Sequence, residues 1–223
     1  DLHSFPTRRS SDLVVDPYEL SKEEEKVLKS LEASIVNSEK LQKHIRFLFS
    51  QGALYKKING NLMYHGCIPM TEDGEFAQVT INGRTFAGKA LMDYLDEQVR
   101  AAYYSPCESE ETGRSGDLMW YLWEGGDSPL FGKEKMTTFE RLFIADKAAH
   151  KEPTRPYYKL IKEKEPCEKI LNEFGLSAAH SKILNGHVPV KIKDGESPIK
   201  GGGLLYVIDG GISKQLPDRK SVV

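Results

Sequence analysis

Asn61-Leu-Met-Tyr-His65-Gly-Cys-Ile-Pro69 and Lys182-Ile-Leu-Asn-Gly-His187-Val-Pro-Val190 decide how this chain folds. Each reads as a short apolar strand that runs into a histidine and then breaks at glycine or proline. On an α/β sheet the carboxyl ends of the strands face the crevice where ligands collect, and the strand fixes the backbone from which the terminal side chain projects. Two histidines placed in this way are a candidate pair of ligands for one cation. The competing reading is a pair of hydrogen-bonded strand-end histidines with no ligand duty.

Outward from these segments, Ser21-Lys-Glu-Glu24 has capping-box form, and Val27, Leu28, Leu31 and Ile35 follow at helical spacing, which predicts an amphipathic helix over 21–36. Leu41, Ile45 and Leu48 predict a second helix ending near Gly52, with His44 beside the stripe as a packing or surface residue. Residues 76–86 alternate around Asn82-Gly83, a two-residue hairpin signal. Leu91, Leu95 and Val99 predict a helix over 89–104, and the polar stretch 105–117 reads as an exposed loop. Asp117-Leu-Met-Trp120-Tyr-Leu-Trp123 is dense in large apolar groups; Trp120 and Trp123 suit either a substrate platform or a buried helix or interface. Thr137-Thr-Phe-Glu140 is a second capping box, opening a helix with Leu142, Phe143 and Ile144. Pro153 and Pro156 mark a linker, and a helix over 165–174 stops at Gly175. Strands are expected at 182–184, 188–193 and 204–208, with Gly201-Gly202-Gly203 as a turn. Helices, hairpin, helices and strands in this order suit an α/β or α+β sheet protein.

The composition excludes several classes. With 31 Lys+Arg against 33 Asp+Glu and a net charge of −2, nothing argues for nucleic acid or a membrane surface as the main partner. No apolar run approaches the ~20 residues of a membrane span. Three widely spaced cysteines, Cys67, Cys107 and Cys167, favour reduced thiols in a cytoplasmic protein over a disulfide framework. Beside the first histidine, Cys67 reads as a packed thiol rather than a third ligand. The termini read differently. Residues 1–13 back-translate to a string similar to a common sequencing adapter, and residues 218–223 back-translate to the reverse complement of part of it. The expected natural segment is therefore 14–217, and Asp1-Leu-His3 only mimics an Asp-x-His metal motif.

His65-Gly66-Cys67-Ile68-Pro69 resembles the His-Gly-Gly-type motif of calcineurin-like metallophosphatases, and Gly186-His187 resembles their final Gly-His motif. Longer strings are more specific: Glu23 to Tyr55, Asn61 to Pro69, Asp117 to Lys147, Asn185 to Lys200 and Val207 to Lys214 together resemble class III fructose-1,6-bisphosphatase. The resemblance implies an α/β fold that is part of a calcineurin-like sandwich, mixed sheets flanked by helices, with the amino-terminal half missing. It implies a gluconeogenic hydrolase that removes the 1-phosphate of fructose 1,6-bisphosphate by a two-metal mechanism with manganese.

In that superfamily one metal takes Asp, His and a bridging Asp, and the other takes the bridging Asp, an Asn and two histidines. His65 and His187 resemble those two histidines. Pro189 stands where many relatives carry the second histidine of Gly-His-x-His. No Asp-x-His, Gly-Asp-x-x-Asp-Arg or Gly-Asn-His-Asp occurs within 14–217, so the resemblance places no catalytic residue in this segment. It predicts weak manganese binding and no activity from the segment alone. Ser213 and Lys214, in Asp209-Gly-Gly-Ile-Ser-Lys214, suit either a phosphate contact or a strand-closing turn. A homo-oligomer is compatible with the family. A phosphoprotein phosphatase shares the His-Gly motif but not the long strings, and a degenerate, non-catalytic interaction module is the rival outside enzymes.

Overall fold

The structure, a computed structural model, describes residues 19–104, 110–191 and 195–209. The terminal stretches 1–13 and 218–223, Cys107, Ser213 and Lys214 lie outside them. The chain divides into two units, up to Gly52 and from Ala53 on. In the first, Ser21 caps α1 (Lys22–Val36): its hydroxyl accepts from Glu24 N–H at 3.3 Å, while the Glu24 carboxylate accepts from Ser21 N–H at 2.7 Å. Glu23, Glu24 and Glu25 in the first turn also suit the positive end of the helix dipole. Ser38 opens α2 (Glu39–Gln51) and Gly52 closes it. The apolar stripe of Val27, Leu28, Leu31 and Ile35 keeps its helical spacing, yet neither helix has a buried residue.

The second unit opens with β1 (Tyr55–Ile58) and β2 (Asn61–Tyr64), joined at Asn59-Gly60, whose φ values of 51° and 76° give the twist that a two-residue hairpin needs. A second hairpin, β3 (Val79–Ile81) and β4 (Arg84–Phe86), turns at Asn82-Gly83 as predicted. There follow α3 (Gly88–Tyr104), α4 (Glu110–Glu124), the single turns α5 (Glu140–Phe143) and α6 (Tyr157–Leu160), α7 (Lys164–Glu173), then β5 (Ile183–Asn185), β6 (Ile199–Lys200) and β7 (Leu205–Val207). The main sheet has the order β1-β2-β5-β7-β6. Its three inner strands, β2, β5 and β7, are parallel, and both edges pair antiparallel. Parallel pairing of β2 with β5 requires a long crossover, which α3 to α7 supply.

Register sets the core. Leu62 lies opposite Ile183 and Ile183 opposite Leu205, and all three are fully buried. Leu91, Met92 and Leu95 of α3 and Cys167, Ile170 and Leu171 of α7 join the same cluster. Among the described residues no helix is long and apolar enough to cross a membrane.

Four expectations are corrected. Residues 105–109 lie outside the described residues, but 110–117 are helical, not loop, because α4 starts at Glu110; burial of Leu118 and Leu122 outweighs the low helix propensity of Gly113 and Gly116. The same helix leaves Trp120 and Trp123 58% and 59% exposed, their rings 5.0 Å apart edge to face, so its buried side is the leucine side. The box at Thr137 does not form: the Thr137 hydroxyl bonds to Glu152, α5 is one turn long, and Leu142 and Phe143 are 75% exposed. No strand forms over 188–191, where Pro189 has no N–H to give a ladder; the edge strand is β6 instead. Within the expected linker after Pro153, α6 forms a turn that buries Tyr157.

Glu152 ties this crossover together. Its carboxylate accepts from Lys133 Nζ at 2.8 Å, from Thr137 N–H at 2.9 Å and from the Thr137 hydroxyl at 2.7 Å, with Arg141 at 3.4 Å. Partial burial pushes its pKa up, but the Lys133 and Thr137 hydrogen bonds outweigh this and hold it at about 2, against 4.5 ordinarily. A depressed carboxylate pKa contributes stability above the unfolded value and loses it as the folded one is approached. Glu152→Gln should therefore lower Tm most above about pH 4.5, and the gap from the parent should close as pH falls towards 2; thermal melts across that range measure it. In the core, Ile183→Ala should cost ~2–5 kcal/mol in urea unfolding, whereas exposed Val27→Ala should cost under ~1 kcal/mol.

Candidate metal centre

The parallel register continues past the ends of the strands. Gly186 N–H donates to His65 O at 2.8 Å and Ile208 N–H donates to Asn185 O at 2.8 Å. The residues following β2, β5 and β7 therefore emerge side by side at the carboxyl edge of the sheet: His65, then Gly186-His187, then Asp209. This is the edge where α/β sheets collect ligands.

A tight turn then aims His187. Val188 N–H donates to Gly186 O at 2.9 Å across a His187 φ of 69°, a γ-turn of the rare positive-φ kind. Strain of this sort costs about 1–3 kcal/mol and persists where the surroundings over-determine it. It brings His187 Nδ1 to 3.0 Å from His65 Nε2, with ring centroids 4.9 Å apart and planes at 65°. His65 is exposed and His187 half-buried.

The segment after α4 forms the wall. Ser128 Oγ donates to Leu122 O at 2.6 Å and accepts from Leu130 N–H at 3.1 Å, which folds the segment back. Cys67 N–H then donates to Pro129 O at 2.8 Å. Gly66 is required at this crossing, since a Cβ there would sit 2.5 Å from Pro129 O. The wall sets the Phe131 ring 6.2 Å from His187, and Lys133 Nζ lies 5.9 Å from the Phe131 ring.

Burial lowers the His187 pKa, and the neighbouring His65 and Lys133 lower it further, against opposing pulls from the Phe131 backbone and Asp209. The net lowering favours the neutral imidazole, the form that binds metal. The other ring nitrogen, Nε2, is buried without a hydrogen-bond partner. Cys67 is buried, its thiol pushed up to about 12 by burial and by Asp127, and its Sγ reaches Ser128 O at 3.6 Å. It is placed as a packed thiol.

The two sequence-predicted histidines thus come together. Among the described residues no third His, Cys, Asp or Glu joins them in a metal-holding group. Gly201–Gly203 is a 3-10 turn leading into β7. Asn185 and Tyr157, which the sequence reading passed over, lie beneath the pair. Asn185 immediately precedes Gly186-His187 in the sequence, whereas Tyr157 carried no signal beyond following Pro156.

Known proteins of one family are similar to this chain. The family model described as Firmicute fructose-1,6-bisphosphatase matches residues 5–220. The chain is 51% identical over 219 residues to the fructose-1,6-bisphosphatase class 3 of Clostridium acetobutylicum, covering 98% of this chain and 32% of that protein. It is 51% identical over 211 residues to the proteins of that name from the Okra and Langeland strains of Clostridium botulinum, covering 95% of this chain and 31% of theirs. The chain thus spans about a third of the length of the curated relatives it matches. No solved structure matches. The chain belongs to the Firmicute fructose-1,6-bisphosphatase family.

Proposed function

We propose that this chain supplies part of a manganese-dependent enzyme that hydrolyses the 1-phosphate of fructose 1,6-bisphosphate, with His65 and His187 as two ligands of one metal in a calcineurin-like sandwich. The observation that carries the reading is the 3.0 Å approach of His65 Nε2 and His187 Nδ1 at adjacent strand ends. Two nitrogens bound at ~2.1 Å to one cation, at right angles to each other, sit about 3 Å apart. The spacing fits two ligands of a six-coordinate ion, and neutral imidazole suits manganese as a minority ligand among carboxylates.

Two such cations, held in part by His65 and His187, would lower the pKa of a bound water and would stabilise the negative charge that develops on the phosphate oxygens. The residues of this chain have distinct tasks. His65 presents Nε2 from an exposed strand end. His187 presents Nδ1 from a strained turn, as a neutral imidazole. Phe131 limits solvent on one side of the His187 ring, and Lys133 adds positive charge nearby. Ser213 and Lys214 are the proposed phosphate contacts. The acidic motifs of both metal sites are absent from 14–217, so the chain by itself should hold manganese weakly and release no phosphate. The near-balanced charge continues to speak against nucleic acid as a partner.

Joining residues 14–217 to the remaining sequence of the Clostridium acetobutylicum relative tests the reading. Manganese-dependent phosphate release from fructose 1,6-bisphosphate should appear in the joined protein and be absent from the chain alone. His65→Ala and His187→Ala should each cut kcat by roughly 10²–10³. Part of the loss should return at higher manganese, because weakened binding obeys mass action. Cys67→Ser should change kcat less than about threefold, as a packed thiol touches no substrate. Full activity and unchanged manganese dependence in both histidine variants would sink the ligand assignment.

A further inference from the structure

A closed hydrogen-bonded circuit lies under the histidine pair. Tyr64 OH and Tyr157 OH are 2.6 Å apart, Asn185 Nδ2 donates to Tyr157 OH at 2.9 Å, and the same nitrogen donates to Gly66 O at 3.2 Å. The circuit begins at the residue before His65 and ends at the residue after it. It passes through Asn185, two residues before His187, and is held from outside the sheet by Tyr157 of α6. All three side chains are buried, Asn185 at 1% exposure. The Tyr64–Tyr157 ring contact is edge to face at 6.3 Å, so the phenols are packed as well as bonded.

Packing alone does not account for Asn185. Its Oδ1 is buried without a partner, which an apolar side chain of similar volume would avoid. What the carboxamide adds over such a side chain is two donated hydrogen bonds, one to the strand end that carries His65 and one to Tyr157. Because Gly186 N–H also bonds to His65 O at 2.8 Å, the two histidine-bearing turns are tied at two levels, by backbone and by side chain.

We propose that Asn185 and Tyr157 are positioning residues that lock the facing nitrogens of His65 and His187. They act through Gly66 O and Tyr64 and touch neither substrate nor metal. The expected effect on metal affinity rests on the ligand reading of the two histidines; the effect on the geometry of the pair does not.

The test uses the full chain, labelled with ¹⁵N, as parent, Tyr157→Phe and Asn185→Asp. Tyr157→Phe deletes one oxygen and keeps the ring; Asn185→Asp keeps the shape and replaces the amide, with its two N–H donors, by a carboxyl group that cannot donate both hydrogen bonds. Hydrogen exchange at Gly186 N–H should rise roughly tenfold in each variant relative to Leu176 N–H, the amide of a half-buried residue past the end of α7, bonded to Leu171 O at 2.8 Å and away from the pair. Ring ¹⁵N shifts of His65 and His187 should report one tautomer each in the parent and an average of tautomers in the variants. The Mn²⁺ concentration that half-broadens these two rings should rise roughly tenfold. Equal acceleration at Gly186 and Leu176 with unchanged ring shifts would mean general loosening and would overturn the proposal. So would an unchanged Mn²⁺ midpoint in variants of a parent whose rings do respond. If the parent rings do not respond to Mn²⁺, the metal-ligand reading fails, and exchange and tautomers still decide the circuit.

Discussion

The hydrogen bond from Gly186 N–H to His65 O is the contact on which the candidate centre depends. It extends the parallel pairing of β2 and β5 one step beyond the strands. That step places one histidine on each side of a single ladder rung. A slip of one residue in this register would turn every side chain of β5 to the opposite face, removing Ile183 from the core together with His187 from the pair. The burial of Leu62, Ile183 and Leu205 in three aligned strands is what holds the register. Core packing and site geometry are therefore one constraint.

Part of this was legible in the sequence. Ser21 to Glu24, Asn82-Gly83 and the stop at Gly175 are local signals, satisfied by atoms within a few residues, and each forms as read. Asn59-Gly60 carries the same hairpin signal, but Lys56 and Lys57 obscure the alternation of the edge strand β1. The box at Thr137 failed because a distant partner, Glu152, captures the hydroxyl that would have capped the helix. The run around Trp120 shows the limit of counting apolar residues: periodicity marks a helix, while only the packing decides that Leu118 and Leu122 face inward and the tryptophans outward. His65 and His187 could be picked out because strand ends punctuate the pattern. Asn185 and Tyr157 could not, because their meaning lies in contacts across |i−j| of 119 and 28.

The centre holds several locally costly features. It contains a positive-φ histidine, a glycine pressed against a crossing backbone, an unpaired His187 Nε2 and an unpaired Asn185 Oδ1. Each costs stability where it stands, and departures from local rules gather where function requires a fixed geometry. The surrounding wall residues and the Glu152 tie on the crossover offset part of that cost by fixing the segments that meet there.

The most direct measurement is electron spin-echo modulation on the chain loaded with Mn²⁺, which detects nitrogen bound to the ion. Coordination by the pair predicts modulation from two imidazole nitrogens, reduced to one in His65→Ala and in His187→Ala. Absence of nitrogen modulation, or modulation that neither substitution alters, would contradict a metal centre built on these two strand ends.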